Sequence, residues 1–127
     1  MPAKILVIDD EPDIVELTRL NLLSEGYEVV STPHPQKAIE QSGATDTSFD
    51  LLLTDVILPK MNGRELYLHL RESTPGLKVL YVSGYTRDVI STHGLLEKGI
   101  LHLQKPFTIR GLLRAVRDAI NAPPSDA

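Results

Sequence analysis

Leu51-Leu52-Leu53-Thr54-Asp55-Val56-Ile57-Leu58-Pro59 is an apolar run interrupted by a carboxylate and closed by a turn. It is short, with Asp50 before it and Pro59, Asn62 and Gly63 at its far end, so it reads as a buried strand and not as a helix. Asp55 then stands at the strand's carboxyl end, the edge at which open α/β sheets place their ligands. Taken alone, such an Asp is a turn residue or a helix cap, because Asp is favoured in both places. Other segments of the chain change that reading.

Upstream, Lys4-Ile5-Leu6-Val7-Ile8 is a continuous aliphatic run suited to a parallel strand covered on both faces, and it ends in Asp9-Asp10-Glu11. Pro12 suits the first turn of a helix, whose positive end favours the preceding acids. Ile14, Leu17 and Leu20 form a helical stripe with Val15 and Leu22 beside it, and Gly26 is placed as a C-terminal cap. A shorter strand follows over 27–31, then a weak helix over 35–41 and a polar loop over 42–48. Downstream of Asp55, residues 64–71 form an amphipathic helix stopped near Pro75-Gly76. Lys78-Val79-Leu80-Tyr81-Val82-Ser83 is a buried strand, and residues 87–97 make a marginal helix, since Gly94 inside it costs about 1 kcal/mol relative to Ala. Ile100-Leu101-His102-Leu103-Gln104-Lys105 is the last strand. After a Thr108 cap, Ile109, Leu112, Leu113, Val116 and Ile120 recur at helical spacing. Five strands alternating with five helices predict a parallel sheet with helices on both faces, in one domain over residues 1–121. Residues 122–127 are expected to be a disordered tail or linker.

Bulk properties exclude several classes. The 127 residues are 42% hydrophobic and 24% charged, the proportions of a globular chain large enough to bury a core. A net charge of -4 and a pI near 5.5 leave no basic footprint, so direct nucleic-acid binding is not expected. With no Cys there is no disulfide framework, thiol nucleophile or Cys-type zinc site. The amino-terminal residues do not form a signal peptide, and no apolar run approaches the roughly 20 residues of a membrane span. A cytoplasmic location and no membrane partner are the resulting expectations.

In a parallel sheet all strands point one way, so Asp9 and Asp10, Asp55, Ser83 and Lys105 share one edge although they come from four strands. If the strand order reverses between the first and third strands, the acids meet at the crevice. Gathered carboxylates raise each other's pKa, a difficulty that a bound cation removes. The ligands are hard oxygens, which favours Mg²⁺ or Mn²⁺ over zinc. Lys105 is a point charge suited to phosphate, and the Ser83 hydroxyl is a small donor. Together these are the equipment of phosphoryl transfer, for which Asp55 supplies a nucleophile able to form an acyl phosphate.

Val7-Ile8-Asp9-Asp10-Glu11-Pro12, the stretch from Leu53 through Asp55 to Lys60-Met61-Asn62-Gly63, Val82-Ser83-Gly84-Tyr85-Thr86 and Gln104-Lys105-Pro106-Phe107-Thr108 resemble the motifs of a response-regulator receiver domain of two-component signalling. The resemblance covers nearly the whole chain. It implies a flavodoxin-like doubly wound five-stranded parallel sheet of order 2-1-3-4-5. It also implies that Asp55 is the phosphoacceptor and that Asp10, Asp55 and the Ile57 backbone carbonyl hold Mg²⁺, with Asp9 acting through water. Ser83 and Lys105 would bind the phosphoryl group, and the Lys105-Pro106 bond would be cis. The implied phosphodonor is a histidine kinase or phosphotransfer protein. Phosphorylation would switch the face formed by the 87–97 helix, the last strand and the last helix toward a downstream protein that the residues do not name.

His102 stands where the family often has Tyr or Phe, which puts the aromatic half of the switch in question; a satisfied or solvated His is the alternative to a pH sensor. Tyr85, two residues past Ser83, is placed to overhang the site and, with Ile57, to limit access. The wording around Ser83 and Gly99 is similar to that of receivers attached to hybrid sensor kinases, so both a stand-alone regulator and a receiver from a longer kinase remain open. Two rivals share the fold: a haloacid-dehalogenase-type phosphohydrolase and a receiver-like interaction module that is not phosphorylated. The first normally needs a second Asp two residues after the nucleophile, and Ile57 is there instead. The second is disfavoured because every site residue is present. The chain is therefore expected to be a signalling phosphoacceptor and not an enzyme, with at most slow self-catalysed phosphorylation and dephosphorylation.

Overall fold

The computed structural model describes residues 3–34, 36, 37, 40, 49–58, 61–84 and 101–122. In chain order the elements are β1 (Lys4–Ile8), α1 (Pro12–Ser24), β2 (Glu28–Thr32), β3 (Leu51–Asp55), α2 (Gly63–Ser73), β4 (Lys78–Ser83), β5 (His102–Gln104) and α3 (Ile109–Asn121). All strand pairs are parallel, in the order β2-β1-β3-β4-β5. This is the expected doubly wound arrangement, with its reversal point between β1 and β3. Three helices are seen among the described residues. The segments expected as helices over 35–41 and 87–97 lie largely or wholly outside them, as do Tyr85 and residues 123–127.

Successive side chains of a strand point to opposite faces, and the central strands obey this closely. Ile5, Val7, Leu51, Leu53, Leu80 and Val82 pack with Leu22 of α1 and with Leu112, Val116 and Ala119 of α3. Leu6, Ile8, Leu52, Val79 and Tyr81 pack on the other side with Leu66, Tyr67 and Leu70 of α2. The continuous aliphatic runs of β1, β3 and β4 are thus explained: both faces are covered. Tyr67 is buried and donates its hydroxyl to the Leu77 carbonyl at 3.0 Å, so it is a packing residue with its polar tip satisfied.

The helix ends follow local chemistry. α1 begins with Pro12 and closes with Gly26 at φ 92°, whose N–H donates to the Leu23 carbonyl at 3.0 Å while the Tyr27 N–H donates to Leu22 at 3.2 Å. That is the bonding of a glycine-terminated helix. Asn62 caps α2 by accepting from the Glu65 N–H at 2.8 Å, and Thr108 caps α3 by accepting from the Gly111 N–H at 2.9 Å. The Lys78 ammonium donates to the Ile120 carbonyl near the end of α3, a favourable place for a cation.

One expectation is corrected. The stripe of α1 that faces the sheet is Val15, Thr18 and Leu22, whereas Leu17, Leu20 and Leu23 are 42%, 52% and 42% exposed. The helix carries apolar residues on more than one side, so its spacing alone does not select a face. The selection comes from where the turn after β1 delivers the helix onto the sheet.

Candidate functional site

The register brings the polar strand ends together. Ile8 pairs with Thr54, so Asp9 and Asp55 are the next residues along the adjacent strands β1 and β3. Asp55 pairs with Val82, one residue before Ser83, and Ser83 pairs with Gln104, one residue before Lys105. The Lys105 N–H donates to the Ser83 carbonyl at 2.7 Å, which carries the β4–β5 pairing past the end of the sheet.

Lys105 is the hub. Its Nζ lies 2.8 Å from Asp9 Oδ2, 3.0 Å from Glu11 Oε1 and 3.0 Å from Asp55 Oδ2. An ammonium has three N–H donors and here meets three carboxylates. The Lys105 and Asp55 side chains are 14% and 12% exposed, Asp9 only 6%, and Glu11 60%. Burial by itself would lower the pKa of Lys105, but the hydrogen bonds to Asp9, Glu11 and Asp55 outweigh it and hold the group above the ordinary lysine range, fully charged.

Asp55 balances the other way. Burial raises its pKa most, the hydrogen bond and charge of Lys105 lower it, the Asp9 charge raises it, and the Ile57 N–H lowers it; the net position is above the usual carboxylate range. The Ile57 N–H reaches Asp55 Oδ1 at 3.4 Å while Lys105 holds Oδ2, so the two oxygens have different partners. Asp9 is similarly divided, Oδ1 accepting from the Glu11 N–H at 2.9 Å and Oδ2 facing Lys105.

Asp9, Asp10, Glu11 and Asp55 each present a carboxylate oxygen, all within 4.8 Å of one another. Asp9 is buried and Asp10 and Glu11 are exposed, so the cluster has an inner wall and an open side. Four hard oxygens opening to solvent fit a divalent cation of the Mg²⁺ type, which keeps several waters.

Of the residues singled out from sequence, Asp9, Asp10, Asp55 and Lys105 converge at this edge. Ser83 is 1% exposed at the end of β4, beside them in the register. Ile57 is 48% exposed next to Asp55. His102 is half-buried in β5 opposite Tyr81, on the face of the sheet that α2 covers. Tyr85 lies outside the described residues. The Lys105-Pro106 bond is cis, as expected.

Two residues of the site escaped the sequence reading. Glu11 was read only as an acid at a helix start, yet it reaches Lys105 across 94 positions of chain; its place directly after Asp9-Asp10 was the available signal. Gly63 was read as a turn residue. A Cβ built on it would lie 2.2 Å from the Asp55 carbonyl oxygen, and its N–H donates to the Val56 carbonyl at 2.7 Å. Only glycine lets the first turn of α2 press against the back of Asp55 in this way, and the Asn62-Gly63 pair was the trace of it in sequence.

Comparison with known proteins agrees with this geometry. The family model described as response regulator receiver domain matches residues 5–117. The chain is 31% identical over 108 residues to the uncharacterized transcriptional regulatory protein YrkP of Bacillus subtilis, covering 85% of this chain and 45% of that protein. It is 29% identical over 119 residues to the sensor kinase CckA of Brucella abortus, covering 93% of this chain and 12% of the kinase. The chain therefore spans half or less of the length of these relatives. A crystal structure of a response regulator receiver protein from Sinorhizobium medicae superposes with a TM-score of 0.80 at 27% identity, covering 95% of this chain and 96% of that one. A doubly wound sheet with acids and a lysine at its carboxyl edge, matched by the family model over almost its whole length, places the chain in the response regulator receiver domain family of two-component systems.

Proposed function

We propose that the chain accepts a phosphoryl group on Asp55 from the phosphohistidine of a histidine kinase or phosphotransfer protein and passes the change to a downstream protein. The observation that carries this reading is the grip of Lys105 on Asp55 at 3.0 Å within the acidic cluster. An Asp55 oxygen attacks phosphorus, an O–P bond forms, the P–N bond breaks, and the imidazole leaves with its electron pair. Lys105 favours the ionised Asp55 that this attack needs, against the burial that raises its pKa. The divided partners of the carboxylate leave Oδ1, held only by a long 3.4 Å contact, as the freer oxygen.

Asp10, Asp55 and the Ile57 backbone carbonyl would hold Mg²⁺, with Asp9 acting through water, and Mn²⁺ suits the same oxygens. Such an ion supplies charge neutralisation for the phosphoryl oxygens. In this reading Lys105 exchanges carboxylate partners for a phosphoryl oxygen, and the Ser83 hydroxyl bonds another. The loop after Ser83 then shifts a pre-existing equilibrium in the face made by the 87–97 segment, β5 and α3. His102, in β5, belongs to that face, and Tyr85 and Ile57 limit water's access to the acyl phosphate. The exposed Leu17 and Leu20 of α1, the helix that leaves the acidic turn, offer the phosphodonor an apolar docking surface. The likeness to CckA supports attachment to a hybrid kinase as one context, and the match along nearly the full Sinorhizobium chain supports a stand-alone regulator as the other. No helix among the described residues is long and apolar enough to cross a membrane, and we place the domain in the cytoplasm.

Incubation with acetyl phosphate and Mg²⁺, read by intact mass, tests the proposal. A single phosphoryl adduct that is lost in Asp55→Asn is expected. Undiminished labelling of that variant, or sustained turnover of phosphate esters of the haloacid-dehalogenase kind, overturns it.

A further inference from the structure

Beneath Asp9 and Asp55 the structure has a pocket of about 10 Å³ between the sheet and α1. Strand alternation puts it there. Asp9 stands two residues past Val7 and Asp55 two past Leu53, so all four side chains are on the side of the sheet that α1 and α3 cover. Val7, Leu53 and Val82 line the pocket from the sheet, Asp9 and Asp55 border it at the carboxyl edge, and Thr18 borders it from α1. The buried residues of α1 are Val15, Thr18 and Leu22, and Thr18, the polar one, is 2% exposed. A threonine within a helix usually turns its hydroxyl to solvent or to the carbonyl four residues back. Burial removes the first partner from Thr18, and among the described residues its hydroxyl makes no hydrogen bond. Thr54, which also borders the pocket, already donates its hydroxyl to the Asp55 carbonyl at 3.0 Å. The carboxylates have capacity left. An ionised carboxylate can accept about four hydrogen bonds, whereas Asp9 meets the Glu11 N–H and Lys105, and Asp55 the Ile57 N–H and Lys105.

We propose that this pocket is a one-water site, in which the water accepts from the Thr18 hydroxyl and donates to Asp9 and Asp55, and that Thr18 is through it a positioning residue for Asp55. The size fits, since a pocket of about 10–15 Å³ holds a single water, and a buried water makes about three hydrogen bonds. Three side chains from β1, β3 and α1 supply that number. Without the water, a buried hydroxyl and parts of two largely buried carboxylates go unsatisfied together, and each such group costs stability. A divalent cation needs about six oxygens, more than this largely apolar lining offers. The inference rests on the reading of Asp55 as the phosphoacceptor and adds a group that holds its carboxylate. Lys105 fixes one Asp55 oxygen at 3.0 Å, while the Ile57 N–H touches the other only at 3.4 Å. A further donor from below limits rotation of the carboxylate, so the attacking oxygen keeps its direction toward phosphorus.

Thr18→Val and Thr18→Ser separate the hydroxyl from the packing. Valine keeps the shape and loses the hydroxyl, serine keeps the hydroxyl and loses the methyl, and Val and Thr differ little in helix propensity. A crystal structure of the parent is expected to show a water within about 3.2 Å of Thr18 Oγ1 and of an oxygen of both Asp9 and Asp55. Thr18→Val should raise the unfolding equilibrium constant about fivefold, the loss of one hydrogen bond, whereas a hydroxyl without a partner would make the same exchange neutral or stabilising. The rate of Asp55 labelling by acetyl phosphate with Mg²⁺ should fall about threefold or more in Thr18→Val and recover most of that loss in Thr18→Ser. A packing role gives the opposite order, with valine like the parent and serine impaired. That order, a Thr18→Val protein as stable and as readily labelled as the parent, or a crystal structure with no water joining the three groups overturns the inference. Labelling of Asp55 without such a water refutes only this inference. A parent that takes no label refutes the phosphoacceptor reading, and the water and the stability order then decide the pocket by themselves.

Discussion

Replacing Gly63 with Ala sets two physical effects against each other. By helix propensity alone, Ala at the start of α2 should be better than Gly by up to about 1 kcal/mol. The geometry reverses the sign. The added Cβ would stand 2.2 Å from the Asp55 carbonyl oxygen, 3.0 Å from Thr54 Cγ2 and 3.2 Å from the Asp55 carbonyl carbon. Relief of the first contact requires a retreat of about 1 Å to reach ordinary van der Waals separation. Strand β3 cannot supply it, because it is bonded to β1 on one side and β4 on the other. The first turn of α2 must move instead, stretching the 2.7 Å bond from the Gly63 N–H to the Val56 carbonyl and the bridge between Ile57 and Asn62. Overpacking of this kind costs about 1–3 kcal/mol and a weakened hydrogen bond about 1 kcal/mol more. The expected net effect is a destabilisation of about 1–3 kcal/mol, measured as a lower urea midpoint at unchanged slope. Because Ile57 both follows Asp55 and donates to its Oδ1, labelling of Asp55 by acetyl phosphate should slow in the same variant. A Gly63→Ala protein as stable as the parent or more so, with an unchanged labelling rate, would show that this close approach does not constrain the site.

The other predictions concern the charges around Lys105. Asp55 has a folded pKa above its ordinary value, so its contribution to stability is full below the ordinary Asp range and is lost as pH rises through the folded value. Asp55→Asn should therefore raise the melting temperature at pH 7 in the presence of a chelator, and the gain should shrink as the pH falls toward that range. Lys105→Met leaves Asp9 and Asp55 largely buried without their cation and should cost up to about 3 kcal/mol at neutral pH, the low end for breaking a buried pair. Since the lysine's folded pKa is raised, the difference between parent and variant should persist to the ordinary lysine value and fade only as pH rises through the folded one. Glu11→Gln removes the exposed one of the three contacts, so a stability loss below about 1 kcal/mol is expected, with faster acetyl phosphate labelling as Lys105 is released. Mg²⁺ should raise stability by about 2.7 kcal/mol at a hundredfold excess over its dissociation constant, and Asp10→Asn should diminish that increment in a thermal melt.

The strands and the location of the site were legible in the sequence for a local reason. Continuous aliphatic runs such as Ile5-Leu6-Val7-Ile8 and Leu51-Leu52-Leu53 announce strands covered on both faces, and the polar residues that stop them mark the carboxyl edge. Caps were legible in part: Thr108 and Gly26 act where their chemistry predicts, whereas Asn62, read as a turn residue, caps α2. Strand order came with the motif resemblance and not with periodicity, which is indifferent to which strand is the neighbour.

Tertiary structure alone decided several matters. α1 offered apolar residues on more than one side, and its attachment to the sheet chose Val15, Thr18 and Leu22 over Leu17 and Leu20. That Lys105 is shared by Asp9, Glu11 and Asp55 is a fact about distances between groups from opposite ends of the chain, and no local pattern encodes it. The same holds for the contact of Gly63 with the back of Asp55. Which residues can do chemistry, and at which edge, follows from side-chain type and strand ends. Which of them share a proton, a charge or a van der Waals contact depends on separations of a few ångströms that only the packed sheet and helices set.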